Sequence, residues 1–183
     1  MGGAPPWAPG EWTLTGDLAT IESQWPFVEE ILDDPGAFSR HAPEVSAWSC
    51  GEHAGHIVLA SLSIAMGIEG ALSDPGANVD EAPEEFTKTV FESGIFRRGI
   101  AQAPERMDPS ARAPEELVQR LPRARDAWNA LSGRAAELEA CPARFRHFAF
   151  GYLNPGEWVR MSAMHTAHHL SIVADIEAAL TAS

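Results

Sequence analysis

The segment from Ser49 to about Leu72 constrains this chain more than any other. Ser49-Cys50-Gly51-Glu52 is a capping box: the serine hydroxyl takes an orphan N–H of the first turn and the glutamate reaches back to the cap. The residues that follow are apolar around most of a helix circumference, so the helix must be covered on nearly every side. Its longest apolar run, Ile57–Ile68, falls short of the ~18 residues a membrane span needs and is broken by serines. The expected place for it is the centre of a helix bundle.

Three other stretches carry helical periodicity. From Asp17 to Asp34, Leu18, Ile21, Trp25, Val28 and Leu32 recur at three- and four-residue spacing, and Pro26 is expected to kink or split the helix. Asp34-Pro35-Gly36 ends it, with a loop expected to about Ala47. From Pro114 to about Glu139 the apolar register is Leu117, Leu121, Ala124, Trp128, Leu131, Ala135 and Leu138, with a kink or restart expected at Pro122. Asn154-Pro155 opens a last helix to about Leu180, proline being suited to a first turn. Residues 73–110, rich in Pro, Gly, Asp and Glu, read as a long excursion with one short amphipathic stretch at Glu84–Phe96. The aromatic run Arg144–Asn154 reads as a loop or a brief extended piece. Residues 1–12 are expected to be a flexible arm, with Trp7 or Trp12 available to pin it, and residues 13–183 a single domain. The fold expected is all-α, a four-helix bundle with a long excursion between helices 2 and 3.

Composition narrows the function classes. The net charge is −13 and the only local basic pair is Arg97-Arg98, so no nucleic-acid partner is expected. No basic-then-apolar leader opens the chain, so neither a signal peptide nor a membrane partner is expected, and the default location is the cytoplasm. Two cysteines, Cys50 and Cys141, are too few for a disulfide scaffold or a thiolate zinc site.

Histidine is distributed unevenly. Five of the seven fall in two short windows, His53/His56 and His165/His168/His169. At about 100° per residue, His165 and His169 share a helix face with Trp158, Met161, Ile172 and Ile176, so two imidazoles interrupt an apolar stripe. His168 lies off that stripe, beside Ser171 and Asp175. On the second helix, His56 shares a face with Leu59, Ser63 and Met66 and is the third ligand candidate; His53, rotated by about 60°, is the alternative. Three imidazoles from two helices would hold a divalent ion and leave positions open, as catalytic sites do. Neutral imidazole suits Zn, Ni, Fe and Cu. The sequence His165-Thr166-Ala167-His168-His169 lacks the glutamate of an HExxH protease. Glu52 is a candidate general base, although the capping box already accounts for it; Cys50 sits in a first turn, where a helix dipole lowers a thiol's pKa, although a free cysteine is more often a small packing residue. The excursion offers Phe86, Phe91, Phe96 and Arg97-Arg98 as a lid with an anion-binding pair, although packing and surface charge account for them as well.

Two runs carry a family resemblance. Trp48-Ser49-Cys50-Gly51-Glu52-His53-Ala54-Gly55-His56-Ile57 resembles the W-S-x-x-E-x-x-x-H-[LI] start of the second helix in DinB/YfiT-like proteins. The stretch from His147 to Trp158, followed by His165-Thr166-Ala167-His168-His169-Leu170, resembles the HP-x-x-G-x-L-x-x-x-E-W…H-x-x-H-H-L close of that superfamily, with Phe148 in place of the proline. The resemblance spans residues 17–180 and is nearest to a branch without assigned reactions. It implies an up-down-down-up bundle and a divalent metal, Zn or Ni first and Fe or Mn next, held by His56, His165 and His169. It also implies thiol-dependent S-transfer to a small electrophile, with a low-molecular-weight thiol as co-substrate, or hydrolysis of a small molecule. The alternative class is a non-catalytic bundle, a homodimer binding a metal or small ligand in a stress response.

Overall fold

The computed structural model describes residues 5–99 and 104–182; the first four residues of the arm and four in the excursion lie outside it. The described helices are α1 (Leu14–Asp33), α2 (Pro35–Phe38), α3 (Cys50–Ser73), α4 (Thr87–Ser93), α5 (Pro114–Ser132), α6 (Ala135–Ala140) and α7 (Pro155–Ala182). A 3-10 turn covers Glu105–Met107, and strands β1 (Phe145–His147) and β2 (Gly151–Leu153) form an antiparallel hairpin with Phe145 opposite Leu153. Helices α1, α3, α5 and α7 make the bundle expected from the sequence, with α1 and α3 on one diagonal and α5 and α7 on the other.

Pairwise contacts fix the helix directions. Gly55 meets Leu117, Ser61 O accepts the Trp128 indole N–H at 3.1 Å, and Glu69 pairs with Arg134 at 2.8 Å, so α3 and α5 run parallel. Asp17 bonds Arg160 at 2.7 Å and Gln24 donates to Ala163 O at 2.9 Å, so α1 and α7 are parallel too. Cys50 lies against Glu177, while His53 and His56 meet His169 and His165, so α3 and α7 are antiparallel. The topology is up-down-down-up. Parallel α3 and α5 explain the long excursion, because the chain must travel back the length of the bundle before α5 can begin.

The capping box forms as read, with Ser49 Oγ accepting Glu52 N–H at 3.2 Å and Glu52 accepting Ser49 N–H at 2.7 Å. The helix it opens, α3, is by length and hydropathy apolar enough to cross a membrane, and 61% of that apolar window is buried against its neighbours. Its composition therefore serves the bundle core.

Three local expectations are corrected. Neither Pro26 nor Pro122 splits its helix; both are exposed, so the carbonyl that each leaves without an N–H partner is on a side open to water. The third periodic stretch instead breaks at Gly133-Arg134 and restarts as α6. The loop after α1 contains α2, because Asp34 ends one helix and caps the next by accepting Gly36 N–H at 2.8 Å, with Pro35 in the first turn.

The arm from Trp7 onward lies on the bundle. Trp7 packs edge-on against Phe27 and its carbonyl accepts from Gln24, while Trp12 meets Phe91 of α4. A fully buried guanidinium ties these pieces together: Arg160 donates to Asp17, to Gly10 O and twice to Phe91 O.

Gly55 lets α5 approach α3: a Cβ there would fall 2.5 Å from Leu117, itself 1% exposed and unable to withdraw. Gly70, on the same helix, has no atom within 4 Å of that position. Gly70→Ala is expected to raise Tm through the ~1 kcal/mol helix preference of alanine. Gly55→Ala is expected to lower it by several degrees, because overpacking of ~1–3 kcal/mol exceeds the same gain. Thermal melts of the two variants check the opposite signs.

Candidate metal centre

The first two turns of α3 and the middle of α7 face each other and bring imidazoles together. The cap at Ser49 places His53 and His56 in successive turns, and the HxxxH spacing puts His165 and His169 on one face of α7. One ligand atom from each of His56, His165 and His169 lies within 4.8 Å of the others, so the group can hold a metal ion. Ring centroids are 4.9 Å apart for His56 and His165, 4.7 Å for His56 and His169, and 4.6 Å for His165 and His169. His56 and His169 are buried, and His165 keeps an edge open.

The hydrogen bonds show which nitrogens are free. His56 Nδ1 lies 2.8 Å from Met107 O, which only accepts, so Nδ1 carries the proton and Nε2 is bare. That Nε2 points at His165 Nε2 at 3.0 Å. Two lone pairs at this distance repel unless a proton or a cation lies between them, and a set of neutral imidazole nitrogens suits a divalent first-row ion. The residues fit such an ion. The excursion contributes here through its backbone, since the 3-10 turn carrying Met107 orients His56.

Burial sets the protonation. It pushes His165 and His169 well below the usual imidazole range, and the neighbouring imidazoles push further in the same direction. His56 is lowered by burial, with its bond to Met107 opposing. His53 falls to about 3 through burial and then the proximity of His56. Trp48 covers three of the rings, with centroids 5.4 Å from His53, 5.1 Å from His56 and 6.2 Å from His169.

The other sequence candidates are placed elsewhere. Glu52 is held in its capping box and is outside the imidazole group; it lines an open cleft of about 370 Å³ with His41, Ser49, Ser110 and Arg112, one turn from His56. A second cleft of about 240 Å³ runs along Leu59, Ser63 and Met66, and Met107 borders it. Cys50 is fully buried with its thiol pushed up to about 11, chiefly by desolvation, so burial outweighs the helix dipole. His168 packs against Phe96, and Arg98 is taken up by Asp175 at 2.7 Å and Ser171 at 3.1 Å. His147 ends β1 and accepts N–H bonds from Ala149 and Phe150, pinning the hairpin turn. Sequence reasoning missed Ser46, Trp48 and Met107 as neighbours of the imidazoles. Only Trp48 left a trace, in the motif before the cap.

Buried rings that stay neutral when folded take up protons near their ordinary 6.5 once exposed, so below that pH the unfolded chain binds more protons. Stability is therefore complete above about pH 6.5 and is lost as the pH falls, by ~1.4 kcal/mol per pH unit for each ring that stays neutral. Melts of metal-free protein from about pH 7.5 down to about pH 4.5 should show Tm falling with an onset near pH 6.5. A flat profile would contradict the buried, neutral imidazoles.

Searches among curated proteins and among solved structures gave no significant match. The model of the DinB superfamily matches residues 8–173, which takes in α1, α3 and α5, α7 as far as Val173, and the imidazole group. With that span and the up-down-down-up bundle, the chain belongs to the DinB superfamily.

Proposed function

We propose that this chain is a divalent-metal-dependent enzyme in which His56, His165 and His169 hold the ion, and that its reaction is thiol-dependent S-transfer to a small electrophile. The observation that carries this reading is the convergence of three neutral imidazoles, one of them keeping an open edge. When bound, a Zn- or Ni-like ion supplies Lewis acidity and draws down the pKa of a thiol or water that joins it. The thiol gives its proton to solvent, its sulfur forms a bond to the electrophilic carbon, and the bond from that carbon to the leaving group breaks, the leaving group taking the electron pair.

The chain's own residues favour an external sulfur. Cys50 is buried with a raised pKa, and Cys141 points its thiol at Ala71 O. Among the described residues no carboxylate belongs to the imidazole group, and Glu52 is committed to Ser49, which weighs against a built-in base for hydrolysis. Trp48 shields the rings from water on one side, and the open edge of His165 is where a thiol would reach the site.

Purified protein is expected to retain or take up one divalent ion per chain, measured by elemental analysis and titration. His56→Ala, His165→Ala and His169→Ala should each abolish most of the occupancy, and His168→Ala should leave it near wild type. Full occupancy in the first three would sink the ligand assignment.

Metal-loaded protein incubated with low-molecular-weight thiols and a panel of small electrophiles should form thioether product at a rate that the chelator-treated protein does not match. Turnover without thiol would favour hydrolysis instead. Stoichiometric metal with no turnover in either arm would favour the binding-protein reading.

A further inference from the structure

We propose that His53 is a positioning residue: it accepts the Nδ1 proton of His169, so that His169 presents a bare Nε2 to the ion, and Ser46 accepts from His53 in turn. This inference rests on the metal reading above and adds a residue that the three-ligand set leaves out.

His53 is 2% exposed, and both of its ring nitrogens are engaged. Nδ1 lies 2.9 Å from His169 Nδ1, and Nε2 lies 2.9 Å from Ser46 Oγ. With both nitrogens taken, His53 has no lone pair for an ion, so it is not the alternative ligand that its position on α3 suggested. Two ring nitrogens facing at 2.9 Å must share one N–H, and only two polarities satisfy them. If His53 donates, His169 keeps its proton on Nε2 and is closed as an Nε2 ligand. If His169 donates, its Nε2 is bare, His53 keeps a proton on Nε2, and Ser46 Oγ accepts it.

The second polarity is the one compatible with an ion. Ser46 Oγ can accept from His53 while also accepting Trp48 N–H at 3.1 Å, because a hydroxyl has two lone pairs. His56 repeats the arrangement, with Nδ1–H given to Met107 O and Nε2 bare. Each buried ligand would then give its Nδ1 proton to a fixed acceptor, one a carbonyl and the other an imidazole. Such partners hold a ring's tautomer and orientation, and their loss weakens metal binding by about 10–100-fold. Because His53 is buried beneath Trp48, solvent is poorly placed to replace it.

The test uses the full-length chain with Zn²⁺ as the probe, its affinity read by chelator competition. His53→Leu is expected to bind Zn²⁺ about 10–100-fold more weakly than wild type, His53→Gln to recover much of the loss through its amide oxygen, and Ser46→Ala to show a smaller loss. In addition, ¹⁵N NMR of the Zn²⁺-loaded wild type should show His169 protonated at Nδ1 and metal-shifted at Nε2. A folded His53→Leu with wild-type affinity would overturn the inference, as would a His169 protonated at Nε2 in the loaded protein. If His53→Leu does not fold, the wild-type tautomer decides. Failure of wild type to bind Zn²⁺ defeats the metal reading and this inference with it, whereas normal wild-type binding with an unchanged variant defeats this inference alone.

Discussion

A buried charge organises the bundle. Arg160 of α7 is completely enclosed, and its guanidinium joins Asp17 of α1, the end of α4 and the arm at Gly10. An enclosed guanidinium is costly unless its donors meet acceptors, and the four bonds from Nε, Nη1 and Nη2 hold each of these segments to one place relative to α7. This registers α1 parallel to α7 and fastens the excursion to the helix that carries His165 and His169. One turn further along α7, Gln24 bonds to Ala163 O and extends the same seam.

The imidazole group is a second dry polar cluster in the same helix pair system, and it is satisfied differently. Charge would be costly there, so the rings are neutral, and neutral rings need partners for both nitrogens. Met107 O, Ser46 Oγ and the imidazoles themselves partner both nitrogens of His53 and His56, Nε2 of His165 and Nδ1 of His169. What keeps the rings from being protonated also leaves lone pairs directed at one point, so the same burial that costs acid stability prepares a site for a cation. Dry surroundings and Trp48 strengthen any electrostatic interaction formed there.

Much of the bundle could be read before the structure, because its signals are local. A capping box, a proline in a first turn and apolar residues at three- and four-residue spacing each depend on neighbours within a turn or two. His165 and His169 were legible for the same reason, and His56 through its place one turn beyond the cap. The failures have equally local causes. Pro26 and Pro122 left a kink and a break both open, because periodicity does not reveal which side of the helix a missing hydrogen bond will face. His53 looked like an alternative ligand because helical angle separates it from His56 without saying what each ring meets across the interface. For Cys50 an activated thiol and a packing residue were both open, and packing holds, because the dipole is a property of the helix whereas the desolvation that overrides it is a property of the packing.

By itself the sequence determined which segments are helical, that Ser49–Leu72 must be central, and which histidines share a face. Only the tertiary structure decided that His53 meets His169 and Ser46, that Met107 O receives the His56 proton, and that Arg160 anchors arm, α1 and α4 together. These pairs are separated by anything from 7 to 150 positions along the chain, and the longer ones lie on different elements. Their energy comes from exclusion of water at contacts between elements, and no periodicity within one element records which contacts those will be.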